Sequence, residues 1–202
     1  MNVKKTTETA YNPIFLKILE DIPGGVTISV KDIPSDVKEV KAGTLLCEST
    51  TTSGLFNPVK VAKSTKTQTA NVSITVGPGH LFKVGEYIAK ENGYTSSTIS
   101  SITHTAATTD TIVTGTAIGA LATATKILRC ATRSTATSGY RTAKYVAGAI
   151  LRDNVEVRND DLSTIYNVAA GAVVRGTVNE SLLPLYVLDA DKTALTARIR
   201  WA

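Results

Sequence analysis

The chain has 202 residues, 43% hydrophobic and 19% charged, a balance that fits a folded protein and excludes an extended disordered one. Its formal charge of +5 comes from scattered Lys and Arg with no basic run beyond Lys4-Lys5. A solvated basic surface, or attraction to an acidic protein, fits this better than a nucleic-acid interface. Aromatics make up only 5%, which leaves Val, Ile, Leu and Ala to build the core, and the abundant Thr favours strands.

The first ten residues are polar and are expected to form a loose arm, without the apolar run of a secretory leader. In Tyr11 to Gly25, Asn12 can cap, Pro13 suits a first turn, and Ile14, Phe15, Ile18, Leu19 and Ile22 recur at helical spacing before Pro23-Gly24-Gly25. This predicts one short amphipathic helix, or an apolar arm that docks elsewhere. From Val26 the period changes to two. Val26, Ile28 and Val30 alternate with Thr27 and Ser29, Val40 to Leu46 reads as a turn entering a second strand, and Val59 to Ala62 as a third.

A threonine-rich segment follows. Val72, Ile74 and Val76 alternate up to the break at Gly77-Pro78-Gly79, and Val84–Ala89, Thr98–Ile102 and Thr111–Thr114 give further short strands. Glu91-Asn92-Gly93-Tyr94 is a hairpin-type turn. Short strands at this spacing predict a small sandwich or barrel. After Lys126, Lys144–Leu151 is a candidate buried strand and Val168–Val178 a turn and strand. Asn179–Pro184 suggests a helical turn, and Asp189–Arg198 a helix capped by Asp189.

The expected fold is mainly β: a β-rich base domain with an inserted small β sandwich or barrel, preceded by a short N-terminal arm or helix. The boundaries expected are 1–25 for the arm, 26–64 with 125–202 for a discontinuous base, and 65–124 for the inserted, outward-facing module.

No catalytic constellation and no cofactor motif is expected. Gly-x-Ser-x-Gly, Walker A, Gly-x-Gly-x-x-Gly and His-Glu-x-x-His are all missing from the sequence. The acidic pairs Glu20-Asp21 and Asp160-Asp161 are adjacent residues whose side chains diverge. Arg158–Ser163 lacks the acid spacing of a calcium loop. Cys47 and Cys130 have no CxxC partner and no nearby His, so no metal site is expected, and two small buried thiols fit better than a disulfide. The Ala/Thr-rich stretch from Thr103 to Thr125 carries Asp110 and does not read as a membrane span.

Three segments carry a resemblance: Val40–Leu46 followed by Phe56-Asn57-Pro58-Val59, then Tyr145–Val155, then Gly171–Pro184. Together they resemble the head-decoration proteins of tailed phages, and in particular head-fibre proteins that carry an added outer domain. The resemblance implies no enzyme. It implies a homotrimer on the outer surface of a capsid, made in the host cytoplasm, with the major capsid protein and other head-fibre or auxiliary capsid proteins as partners. It implies neither a nucleic-acid nor a membrane partner. The arm would grip the shell, which makes Tyr11, Pro13, Ile14, Phe15, Ile18 and Leu19 the expected capsid contacts. The inserted segment departs from the compact decoration proteins.

Two other classes stay open on the residues alone. A carbohydrate-binding or adhesion module would use an aromatic platform, for which the insert offers Phe82, Tyr87 and Tyr94 as ligand contacts. A hydrolase would need His80 or His104 beside a carboxylate.

Overall fold

The computed structural model describes residues 13–69, 72–106, 108–135, 142–158 and 167–202. It is mainly β, with 43% strand against 8% helix, as the alternation of apolar residues dictates. Five strands come first: β1 (Phe15–Asp21), β2 (Val26–Ile28), β3 (Glu39–Val40), β4 (Leu45–Glu48) and β5 (Leu55–Pro58). Six follow without interruption: β6 (Val61–Lys63), β7 (Ser73–Val76), β8 (Tyr87–Lys90), β9 (Ser96–Ala106), β10 (Thr109–Thr114) and β11 (Lys126–Cys130). Then come β12 (Ala149–Leu151), β13 (Val155–Glu156), β14 (Val168–Ala170), β15 (Ala172–Val178), α1 (Asp189–Leu195) and β16 (Ile199–Trp201).

The first and last groups build the base. Its eight-stranded sheet runs β1-β15-β12-β4-β5-β2-β14, with β16 lying parallel beside β15, and β3 and β13 form a separate ribbon. The middle six strands make their own sheet, β6-β11-β8-β9-β10-β7. This sheet curls until its outer strands meet: Ser64 bridges to Val76, and Thr65 N–H donates to Thr75 O at 2.9 Å. We call it the barrel. It spans Val61–Cys130, so β6 and β11 lie outside the 65–124 segment singled out by composition.

Period-two alternation splits the buried residues among three cores. Inside the barrel sit Ile74, Val76, Phe82, Ile88, Ile99, Ile112 and Ile127. Their chain neighbours Val61, Ala89 and Leu128 face outward onto Leu45, Ile150 and Val173 of the base sheet, forming a seam core. Leu46, Ala149, Leu151 and Ala172 point to the opposite face of the same sheet, into a third core with Ile28, Ile33 and Val40. Base strands covered on both faces read as unbroken apolar runs, which is why Ala149–Leu151 is buried at every position.

Two local expectations are corrected. The segment predicted as a helix from Tyr11 to Ile22 is strand β1 over its described part, antiparallel to β15. Its register with β15 breaks between Phe15 and Lys17, between Ile18 and Glu20, and between Glu20 and Asp21. Such bulges interrupt the two-residue period, and apolar residues spaced three and four apart then imitate a helix. Helix α1 forms as expected but starts after Leu188 without a side-chain cap. Asp189 instead accepts from Lys126 Nζ at 2.9 Å. Asn179 does serve as a cap, accepting from Ser181 N–H at the one-turn 3-10 helix Glu180–Leu182.

Candidate functional site

Three places gather the chemistry of the molecule: the outer edge of β1, a charged cluster in the seam, and a histidine cleft beside it. Strand β1 ends the base sheet. One edge pairs with β15, and no strand lies along the other among the described residues. It can approach β15 closely because residue 176 is glycine; a Cβ there would lie 2.4 Å from Lys17 O. Of the expected capsid contacts, Tyr11 lies outside the described residues, and Pro13 is half-buried. Ile14 and Phe15 turn inward and pack on the seam core. Ile18 and Leu19 are 43% and 56% exposed, and Leu16 joins them at 50%. The helical reading put Leu16 off the apolar face, and a strand reading would have found it. An exposed edge strand carrying large apolar side chains is a template for another chain to pair with.

The seam cluster joins base to barrel. Lys60 lies in the crossover between β5 and β6, with its side chain fully buried. Its ammonium donates to Asp32 O and, at 2.6 Å, to Glu86 Oε1. Arg129 on β11 reaches both acids, Nε to Glu86 Oε1 at 3.2 Å and Nη1 to Asp32 Oδ2 at 3.1 Å. Tyr145 Oη donates to Asp32 Oδ2 at 2.6 Å, and the Arg129 guanidinium lies 5.2 Å from the Tyr145 ring centre. Two cations thus face two anions, which makes burying four charges tolerable. Burial pushes Lys60 down to about 8 against the pull of Glu86. Burial would raise Asp32, but hydrogen bonds from Arg129 and Tyr145 outweigh it and hold the carboxyl at about 2. Burial and the neighbouring Asp32 push the Tyr145 phenol up.

The cleft, about 390 Å³, opens between the base loop Pro34–Asp36 and the barrel, with His80, Phe82, Val84, Ile102 and His104 in its walls. His104 on β9 faces Asp110 on β10 across the hairpin register. Its Nδ1 lies 2.9 Å from Asp110 Oδ1, and its Nε2 lies 3.2 Å from Asp36 Oδ2. His80 is buried; its Nδ1 accepts from Phe82 N–H at 3.3 Å, and its Nε2 faces Asp110 Oδ2 at 3.4 Å. Accepting at Nδ1 puts the proton of the neutral ring on Nε2, which suits a carboxylate and not a metal. Burial pushes the His80 pKa down, opposed by Asp110.

Both histidines therefore do stand beside carboxylates, as a hydrolase would need. Both nitrogens of His104 face carboxylates, whereas His80 accepts from Phe82 N–H at Nδ1 and its buried Nε2 faces Asp110 at 3.4 Å without a hydrogen bond. Among the described residues, no group of three or more His, Cys, Asp and Glu side chains is placed to hold a metal ion.

The expected aromatic platform does not assemble. Phe82 is 1% exposed and belongs to the barrel interior, where its ring lies 5.5 Å from that of His80, so it is corrected from ligand contact to core residue. Tyr87 is half-buried against the seam core, and Tyr94 is exposed. A large apolar ring on a strand-rich module is more valuable inside, where it fills volume that Ile and Val leave. Cys130 is buried, Cys47 half-buried, and neither is in a disulfide. Asp160-Asp161 and Asn159–Ser163 lie outside the described residues. No described helix is long and apolar enough to cross a membrane. No family model, curated protein or solved structure matches the chain.

Proposed function

We propose that the chain is an attachment protein of the outer surface of a tailed-phage head, a decoration or head-fibre protein that docks on the major capsid protein and acts without catalysis. The observation that carries this reading is the outer edge of β1, where Leu16, Ile18 and Leu19 stand exposed on a strand that, among the described residues, is paired along one side only. Such an edge gains main-chain hydrogen bonds and apolar burial together when a partner strand or loop lies on it. The base then serves as the foot and the barrel as the outward module, held rigid by the charged seam cluster. The resemblance described above supplies the capsid, the threefold arrangement and the auxiliary head proteins as partners. The carbohydrate reading is the weaker one, since only Tyr94 of its three aromatics is exposed.

The test is sedimentation with purified phage heads of the wild-type chain and of a variant carrying Leu16→Asp, Ile18→Asp and Leu19→Asp. These side chains are exposed, so the variant should fold and keep its thermal midpoint within a few degrees. Wild type should pellet with heads and the variant should stay in the supernatant. Equal pelleting of both would remove β1 as the docking edge, and no pelleting of wild type would remove the capsid.

A further inference from the structure

His104 faces a carboxylate of the base loop with one ring nitrogen and a carboxylate of the barrel with the other, and only one protonation state satisfies both contacts. A neutral imidazole offers one donor and one acceptor, whereas the imidazolium offers two donors. With carboxylate oxygens 2.9 Å from Nδ1 and 3.2 Å from Nε2, only the charged ring donates to both. When the ring is neutral, one lone pair must face a carboxylate.

The two carboxylates differ in how well they bear that loss. The Asp110 side chain is 4% exposed, and among the described residues its other oxygen faces His80 Nε2 at 3.4 Å, so losing the His104 donor would leave a buried anion poorly satisfied. The Asp36 side chain is 56% exposed and can exchange His104 for water. The proton therefore leaves from Nε2, and the contact that opens is the one to Asp36. We propose that His104 is a proton-operated clasp between base and barrel: charged, it ties Asp36 to the β9–β10 hairpin; neutral, it frees the Asp36 end of the loop, whose Pro34 end stays held by Arg158, and widens the cleft over Phe82 and Ile102.

The other titratable groups around the ring fit this role. His80, after β7, stacks with His104 at 6.3 Å between ring centres, and burial pushes its pKa down, which disfavours a second cation at Asp110. Lys83 lines the same cleft, but its ammonium donates to Lys31 O of the base at 2.9 Å, a contact that is independent of the clasp. Lys60, the other cation acting on His80, is tied to Glu86.

The experiment is an NMR titration of the whole chain from about pH 5 to 8, following the His104 ring protons and the backbone amides of Ser35, Asp36 and Val84. The amides should move in step with the His104 ring. Asp36→Asn, an exposed and fold-neutral change, removes one of the two carboxylates facing the ring and should uncouple the loop amides from the His104 ring signals. In His104→Gln, whose amide is uncharged and donates from one end only at every pH, the amides should hold their high-pH positions throughout. Loop amides indifferent to the His104 ring signals in the wild type, or still moving with them in Asp36→Asn, would overturn the clasp.

Discussion

Replacing Glu86 by Gln probes the joint between base and barrel where its energetics are most constrained. Breaking a buried ion pair by removing one partner commonly costs about 3–5 kcal/mol, because the other charge is stranded. Lys60 has an escape that limits the damage. Burial already holds it at about 8, so at pH 7 it can release its proton for about 1.4 kcal/mol, one pKa unit. Arg129 also loses Glu86 as an acceptor but keeps Asp32, a further loss of about 1 kcal/mol. Glu86→Gln should therefore destabilise the fold by about 2–3 kcal/mol at pH 7. The loss should grow by up to about 1.4 kcal/mol per unit as pH falls below 8, and shrink toward the Arg129 share above it. The sign follows from proton counting: the unfolded chain keeps Lys60 protonated, whereas the stranded native Lys60 does not. Urea unfolding at pH 6, 7 and 8.5, read by the fluorescence of Trp201, the only tryptophan, measures this directly. In a Lys60→Met background the same substitution should lose its pH dependence. A loss below about 0.5 kcal/mol, or one equal at all three pH values with Lys60 present, would refute the stranded-lysine reasoning.

Two further outcomes follow from the geometry. Asp32 is held at about 2 against an ordinary 3.8, so its contribution is full above the ordinary value and is lost as pH falls through 2; Asp32→Asn should flatten the acid limb of the stability curve between those values and lower stability at neutral pH, as acid titration by circular dichroism would show. Gly176→Val would drive a side chain into Lys17 O, so it should destabilise the fold by about 1–3 kcal/mol and raise hydrogen exchange in β1 ahead of the rest of the sheet.

Much of the fold was legible in the sequence because the barrel strands alternate cleanly: Ile74 and Val76 inward, Ile112 inward between Thr111 and Val113, Ile99 within its serines. Strand β1 was not, because its bulges break the period that identifies a strand. Lys60 could not be recognised as buried, since a lysine between Val59 and Val61 also fits a half-exposed strand, and its partners lie 26 and 28 residues away in the chain. The pairing of His104 with Asp110 was within reach. Aligning Ile102 with Ile112 and Thr103 with Thr111 around a hairpin places the histidine opposite the aspartate. Asp36 could not be added that way, because it arrives from the base through the tertiary packing of two sheets. The exposed edge depended on knowing that β15, not β2, lies beside β1, which is a matter of topology and leaves no local mark.

Attachment through β1 is tested most directly by cryo-electron microscopy of heads that carry the chain. The account predicts copies on the outer face of the shell, with Leu16, Ile18 and Leu19 buried against the major capsid protein and the barrel pointing outward. Heads without the chain, or copies whose β1 edge faces solvent while another surface meets the shell, would contradict it.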